Sequence, residues 1–228
     1  MSVCLLCTDI FYNGPRANLN FNDQFGGDNH ILSNLIFNSC RETADHGPFN
    51  SWGRQVYITT VRDGLTESIT PAPTEIAKNF VLSNYHGHEA IDNDDASEYF
   101  DTHDNFFVYG ANGLKSDFEG HDNIHHNNIY AYVSGGCFGI GSFKAGHEDG
   151  FYNNTCIAAS YGHFDCASAQ LPTMHDNHLY LSSNSTHECG MSLEAWQAKG
   201  HDLGTTIAWP PPADDDLLRM ASELLMQT

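Results

Sequence analysis

Residues 103–133 read HDNFFVYGANGLKSDFEGHDNIHHNNIYAYV, and the way this stretch recurs decides the fold. The tripeptide His-Asp-Asn occurs at His103-Asp104-Asn105, His121-Asp122-Asn123 and His175-Asp176-Asn177, with a near-copy at His147-Glu148-Asp149. Successive copies are 18, 26 and 28 residues apart. Each runs into a short apolar or aromatic segment: FFVYG, IHHNNIYAYV, GFYNNTCIAA or HLYLSS. Upstream, Gly27-Asp28-Asn29 leads into HILSNLIFNSC and Lys78-Asn79 into FVLSNYHG. A strand-sized unit recurring every 20–50 residues or so is the mark of a solenoid. Units this short cannot bury their own apolar face, so the copies must stack.

Outward from that stretch, residues 78–183 carry short β-branched or aromatic runs between Gly, Asn and Asp turns. Residues 3–60 hold similar runs (VCLLC, HILSNLIF, RQVYIT), and the Thr- and Pro-rich segment 61–77 reads as a loop. WPPPADDD stops any strand, because three prolines cannot join a ladder. Asp214 to Asp216 then cap a helix whose Leu217, Leu218, Ala221, Leu224 and Leu225 share one face. The expected architecture is a β-solenoid over residues 1–213, with a helix at 214–228 packed against it. The first residues already read as mid-domain strand and turn, so N-terminal coils are expected to be lacking.

Composition narrows the function. Nine Lys+Arg against 29 Asp+Glu give a formal charge of -20, which disfavours a phosphate-backbone partner. No run approaches a membrane span. No signal peptide is visible, since MSVCLLCTDI lacks a basic segment and an adequate apolar stretch. Seven cysteines leave at least one unpaired, and Cys4-x-x-Cys7 has no second pair to complete a zinc site. Buried thiols with one or two disulfides are expected. Asn153-Asn154-Thr155 and Asn184-Ser185-Thr186 are glycosylation sequons.

The repeat and its Asn-rich strands resemble the right-handed parallel β-helix superfamily, of pectate-lyase-like and carbohydrate-active type. IDNDDASEYFDTHDNFFVYGANGLKSDFEG is similar to a stretch of right-handed β-helix repeat proteins, and RETADHGPFNSWGRQ and WQAKGHDLGTTI look like the same group. The resemblance implies an all-β, right-handed parallel β-helix with a short C-terminal α-helix, and Asn ladders bonded to the turn backbone. It also implies glycoside-hydrolase-like or polysaccharide-lyase chemistry on an extracellular or cell-surface polysaccharide or oligosaccharide. Ala96 departs from the pattern, which carries Gly there; a turn needing positive φ is strained at Ala96.

Strand alternation then locates the chemistry. With Leu114 and Phe118 inward, Lys115, Asp117 and Glu119 point out; with Ile91 inward, so do Asp92 and Asp94. Asp92 to Lys115 and Asp94 to Asp117 are both 23 residues apart, so one coil of stacking sets each pair about 5 Å apart. Three readings compete. Asp94 and Glu119, with Asp117 as substitute, cleave a glycoside while Lys115 orients a hydroxyl or tunes a pKa. Alternatively, Asp92, Asp94 and Asp95 hold calcium and neutral Lys115 acts as a lyase base. The third is a non-catalytic binding or structural surface. Hydrolysis is preferred.

Arg41, His46, Asn50, Trp52 and Arg54 form a second polar and aromatic set suited to sugar binding, and His86 and His88 are expected in the same cleft as the Asp run. Among the 14 His, His121 with His125 and His126 raises a metal hypothesis. No HExxH is present, and a turn role is preferred because His opens every repeat turn.

Overall fold

A computed structural model describes residues 4–22, 27–53, 72–85, 87–118, 120–141, 146–168, 170–182 and 188–226. The chain winds as a parallel β-solenoid with three faces. The first is a seven-stranded sheet ordered Cys4–Cys7, His30–Leu32, Thr74–Ala77, Phe100–His103, Ile124–His126, Gly150–Tyr152 and Thr173–His175. On the second, Ile36, Val81, Phe107, Tyr130, Cys156 and Leu179 stand in parallel register. The third stacks Leu19–Asn22, Phe49–Trp52, Glu89–Asp94 and Asn112–Ser116. Two long strands, Ile129–Ile140 and Thr155–Phe164, bend from the second face to the third.

Alternation explains the core. On the first face Ile31, Ile76, Phe151 and Met174 point inward, with Thr102 and His125 buried in the same column. His125 is fully enclosed, and burial drives its pKa down to about 3, so it stays neutral. On the second face rings stack from coil to coil, as between Phe107 and Tyr130 with centroids 5.0 Å apart. Cys137–Cys156 and Cys166–Cys189 are disulfides, and Cys40 is a buried free thiol.

The corner between the first two faces is built on one residue type. Asn34, Asn79, Asn105, Asn128 and Asn154 each donate their backbone N–H to the Oδ1 of the next ladder Asn at 2.9–3.0 Å, and Asn177 donates to Thr205 Oγ1. Their Nδ2 groups reach back to carbonyls of the preceding coil, such as Ile31, Ile76 and Thr102. The residue before each ladder Asn has positive φ: Ser33, Lys78, Asp104, Asn127, Asn153 and Asp176 lie between 52° and 58°. Asp104, Asn127, Asn153 and Asp176 carry the short Asn or Asp side chains that tolerate that conformation.

This ladder corrects the sequence period. His103-Asp104-Asn105 and His175-Asp176-Asn177 lie at the first corner, whereas His121-Asp122-Asn123 precedes the strand Ile124–His126, at the corner between third and first faces. There Asn123 Oδ1 accepts from Phe100 and its own N–H donates to Asp149. The true coil is 23–28 residues between Asn79 and Thr205. The step of 18 is the distance between two corners that use the same tripeptide.

The helix Asp214–Met226 lies on the outer side of the second face. Its Leu217 and Ala221 are buried with Phe106, Val108, Ile129, Ala131 and Ile157. Outward side chains on that face are apolar because the helix covers them. A five-residue helix, Leu193–Gln197, which the sequence pattern did not announce, inserts Trp196 into the main core. No helix among the described residues is long and apolar enough to cross a membrane.

Candidate functional site

The third face carries the predicted acidic strands in the expected register: Lys115 stands beside Asp92, and Trp52 beside Asp94. Because alternate residues share a side, Asp92 and Asp94 project together away from Ile91, which is fully buried. The strand Asn112–Ser116 ends before Asp117, and Phe118 turns at φ +46°. Phe118 is therefore 65% exposed rather than inward as alternation predicts. Asp117 reaches the outer face through this bend.

Lys115 is the hub. Its Nζ lies 2.6 Å from Asp94 Oδ1, 3.3 Å from Asp117 Oδ2 and 3.5 Å from Asp92 Oδ1. Burial opposes the ammonium charge, but Asp92, Asp94 and Asp117 outweigh it and raise the Lys115 pKa. Lys115 is firmly charged. The carboxylates respond unequally. Burial tends to raise Asp94, yet the Lys115 hydrogen bond and charge hold it below the usual carboxylate range. Burial and the charges of Asp94 and Asp92 prevail over Lys115 at Asp117 and lift it to about 6.

His46 closes the other side, from the loop that joins Leu35–Phe37 to Phe49–Trp52. Its Nδ1 lies 2.6 Å from Asp92 Oδ2 and 3.6 Å from Asp94 Oδ2, and its Nε2 lies 3.0 Å from Asp45. Burial works against protonation, but Asp92 and Asp45 raise the pKa. Arg16 contacts both Asp45 and His46. The fully buried Asp92 thus sits between Lys115 and His46, the paired setting that a buried carboxylate requires.

A cleft of about 410 Å3 is lined by Arg16, Asp45, His46, Trp52, Asp94, Asp95, Lys115 and Phe118, with Asp92 and Asp117 joined to it through Lys115. The set is asymmetric. Carboxylates and Lys115 form the floor, while Trp52 and the exposed Phe118 contribute ring surface. A little further along the strand, Glu89 is buried and pushed up to about 7 by burial and by Asp92.

Other predicted residues go elsewhere. Asn50 shares the register of Asp92 but is wholly buried, bonding Asn20 through Nδ2. Arg41 lies over the Tyr85 ring, 5.6 Å from its centroid. His88 lines a separate depression with Tyr85, Tyr109 and Tyr132 rather than the acidic cleft. The strand Glu89–Asp94 intervenes, and six residues of extended chain span about 20 Å. Arg54, His86 and Glu119 lie outside the described residues. Asp95 lines the rim of the cleft, with Asp92 and Asp94 turned to Lys115.

Arg16 is the member that the sequence reading missed. Extending the coil register back from Phe49 to Leu19 puts the turn before Leu19 next to the His46 loop, so the signal was present in the period. No protein family, curated protein or solved structure matches this chain. What the structure shows of the expected β-helix is its parallel solenoid architecture.

Proposed function

We propose that this chain binds and cleaves an extracellular polysaccharide by a glycoside-hydrolase-like mechanism in the Lys115 cleft. The observation that carries the proposal is the divergence of two carboxyl groups converging on one ammonium. Asp117, lifted to about 6, carries a proton for the glycosidic oxygen, while Asp94, held low, supplies the anionic partner. Their oxygens are no further apart than the 2.6 and 3.3 Å ion pairs laid end to end, about 6 Å. That spacing favours retention, with Asp94 as nucleophile, over inversion, which needs room for a water. Trp52 and Phe118 stack on pyranose faces, and Lys115 orients a hydroxyl as the substrate enters.

The lyase alternative asks Lys115 to be neutral and a calcium ion to occupy the Asp92–Asp94–Asp95 set. Lys115, held charged by Asp92, Asp94 and Asp117 and paired with two of the three calcium candidates, weighs against both requirements. The disulfides Cys137–Cys156 and Cys166–Cys189 support an extracellular or cell-surface location.

The deciding experiment is a polysaccharide panel with wild type, Asp94→Asn, Asp117→Asn and Lys115→Ala. Cleavage lost in both carboxamide variants, with binding kept, is the expected result. Binding without product in the wild type makes the cleft a non-catalytic carbohydrate-binding site. Unchanged turnover and binding in all variants places the activity elsewhere.

A further inference from the structure

The corner between the third and first faces carries a second cluster, which the proposed cleavage does not use. Successive coils bring Glu98, His121 and His147 together there; Glu98 and His121 pair as a parallel bridge, and the two imidazoles are 5.2 Å apart. One oxygen, Asp122 Oδ2, lies 2.8 Å from His121 Nδ1 and 2.7 Å from His147 Nδ1. On the far side of its ring, His121 Nε2 faces Glu98 Oε2 at 2.9 Å. His121 is fully buried, whereas Asp122 and His147 are 28% and 22% exposed. The donors are fixed from within and open to solvent on one side.

We propose that His121, Asp122 and His147 bind a divalent first-row transition metal, with Glu98 as the residue that positions His121. Two imidazole nitrogens and one carboxylate oxygen suit zinc, cobalt, nickel or iron(II), whereas calcium and magnesium prefer oxygen alone. Their ligand atoms already lie within 4.8 Å of one another. Three protein ligands with an open side leave the fourth position to water. Glu98 supplies the outer carboxylate that a ligating His requires: 2.9 Å from Nε2, it favours the tautomer that leaves the Nδ1 lone pair for the metal.

The other copies of the tripeptide serve as internal controls. His103 Nδ1 contacts Asp104 Oδ2 at 2.9 Å and His175 Nδ1 contacts Asp176 Oδ2 at 2.8 Å, so the local His–Asp contact belongs to the turn itself. Among the three tripeptide aspartates Asp104, Asp122 and Asp176, only Asp122 also receives an imidazole nitrogen from the following coil. In the bare protein that single oxygen must accept from two ring N–H groups. A divalent cation replaces both protons and satisfies all three donors.

The test titrates the chelator-stripped full chain with Zn2+ by calorimetry and with Co2+ by visible absorption. One equivalent should bind, with Co2+ giving the intense bands of a four-coordinate site. His147→Ala should weaken binding at least 100-fold, and Glu98→Gln by 10–100-fold. His175→Ala, at the equivalent contact without a second imidazole, should bind like wild type. Asp122→Asn gives the same loss should His147→Ala not fold, with circular dichroism confirming the folded state. Absence of stoichiometric binding, or wild-type affinity in folded His147→Ala or Asp122→Asn, overturns the proposal.

Discussion

Asp117 and Asp94 share one ammonium, and their opposite pKa directions make the proposed cleft testable by pH. The acid role needs Asp117 protonated, so kcat/KM should fall as pH rises through about 6, near tenfold per unit. A profile flat to pH 8 contradicts that assignment. Asp117→Asn and Asp94→Asn should each lower turnover by about 10²–10⁴-fold. Ala96 is a separate residue-scale matter. It sits at φ +63° directly after Asp95 at +31°, in the turn where the resemblance expects Gly. Left-handed backbone costs a Cβ-bearing residue about 1–2 kcal/mol. Ala96→Gly should therefore raise the thermal midpoint by about 2–4 °C, as measured by calorimetry. An unchanged or lower midpoint means that the buried Ala96 methyl group matters more than the strain.

Among the elements, the Asn ladder holds the first corner and the terminal helix covers the second face. Asn105 Oδ1 accepts from the backbone and side chain of Asn79, and its Nδ2 donates to the Ile76 carbonyl. Asn105→Ala leaves the Asn79 N–H and the Ile76 carbonyl without these partners, while Asn79 Nδ2 keeps the Ile31 carbonyl, at about 1–3 kcal/mol for each buried group that water cannot reach. Urea unfolding should show a loss of about 3 kcal/mol or more, whereas a loss below 1 kcal/mol means that the corner relaxes around the gap. Leu217 is buried against the second face, so Leu217→Ala should cost about 2–3 kcal/mol. The sequence made both elements readable for different reasons. The helix appeared in spacing of 3–4 residues, which needs no knowledge of the fold. The ladder Asn residues were visible as a residue type before strands, but one tripeptide serves two corners, and only the hydrogen bonds separate them.

For the whole molecule, buried acids set the pH dependence of stability. Burial raises Glu89 to about 7, Asp149 to about 6 and Glu188 to about 8. A carboxyl with a folded pKa above its unfolded value binds more protons in the native state. Stability therefore falls as pH rises from the unfolded value, near 4, through the folded ones. His125 acts oppositely, since its folded pKa is depressed, but it counts mainly below pH 6.5. The thermal midpoint should be several degrees higher at pH 5.5 than at pH 8; a midpoint that rises toward pH 8 contradicts these burial effects.

The sequence alone determined that strand-sized units repeat, that they stack in parallel, and that Asp92 and Lys115 stand side by side. Those follow because parallel stacking turns a fixed offset in number into a fixed distance in space. Tertiary structure decided what the loops deliver: His46 and Arg16 against the acidic floor, Phe118 outward, and His147 against Asp122. Corner segments vary in length from coil to coil and carry no register of their own. Where their side chains land is set by the packed coils on either side, which no local pattern records.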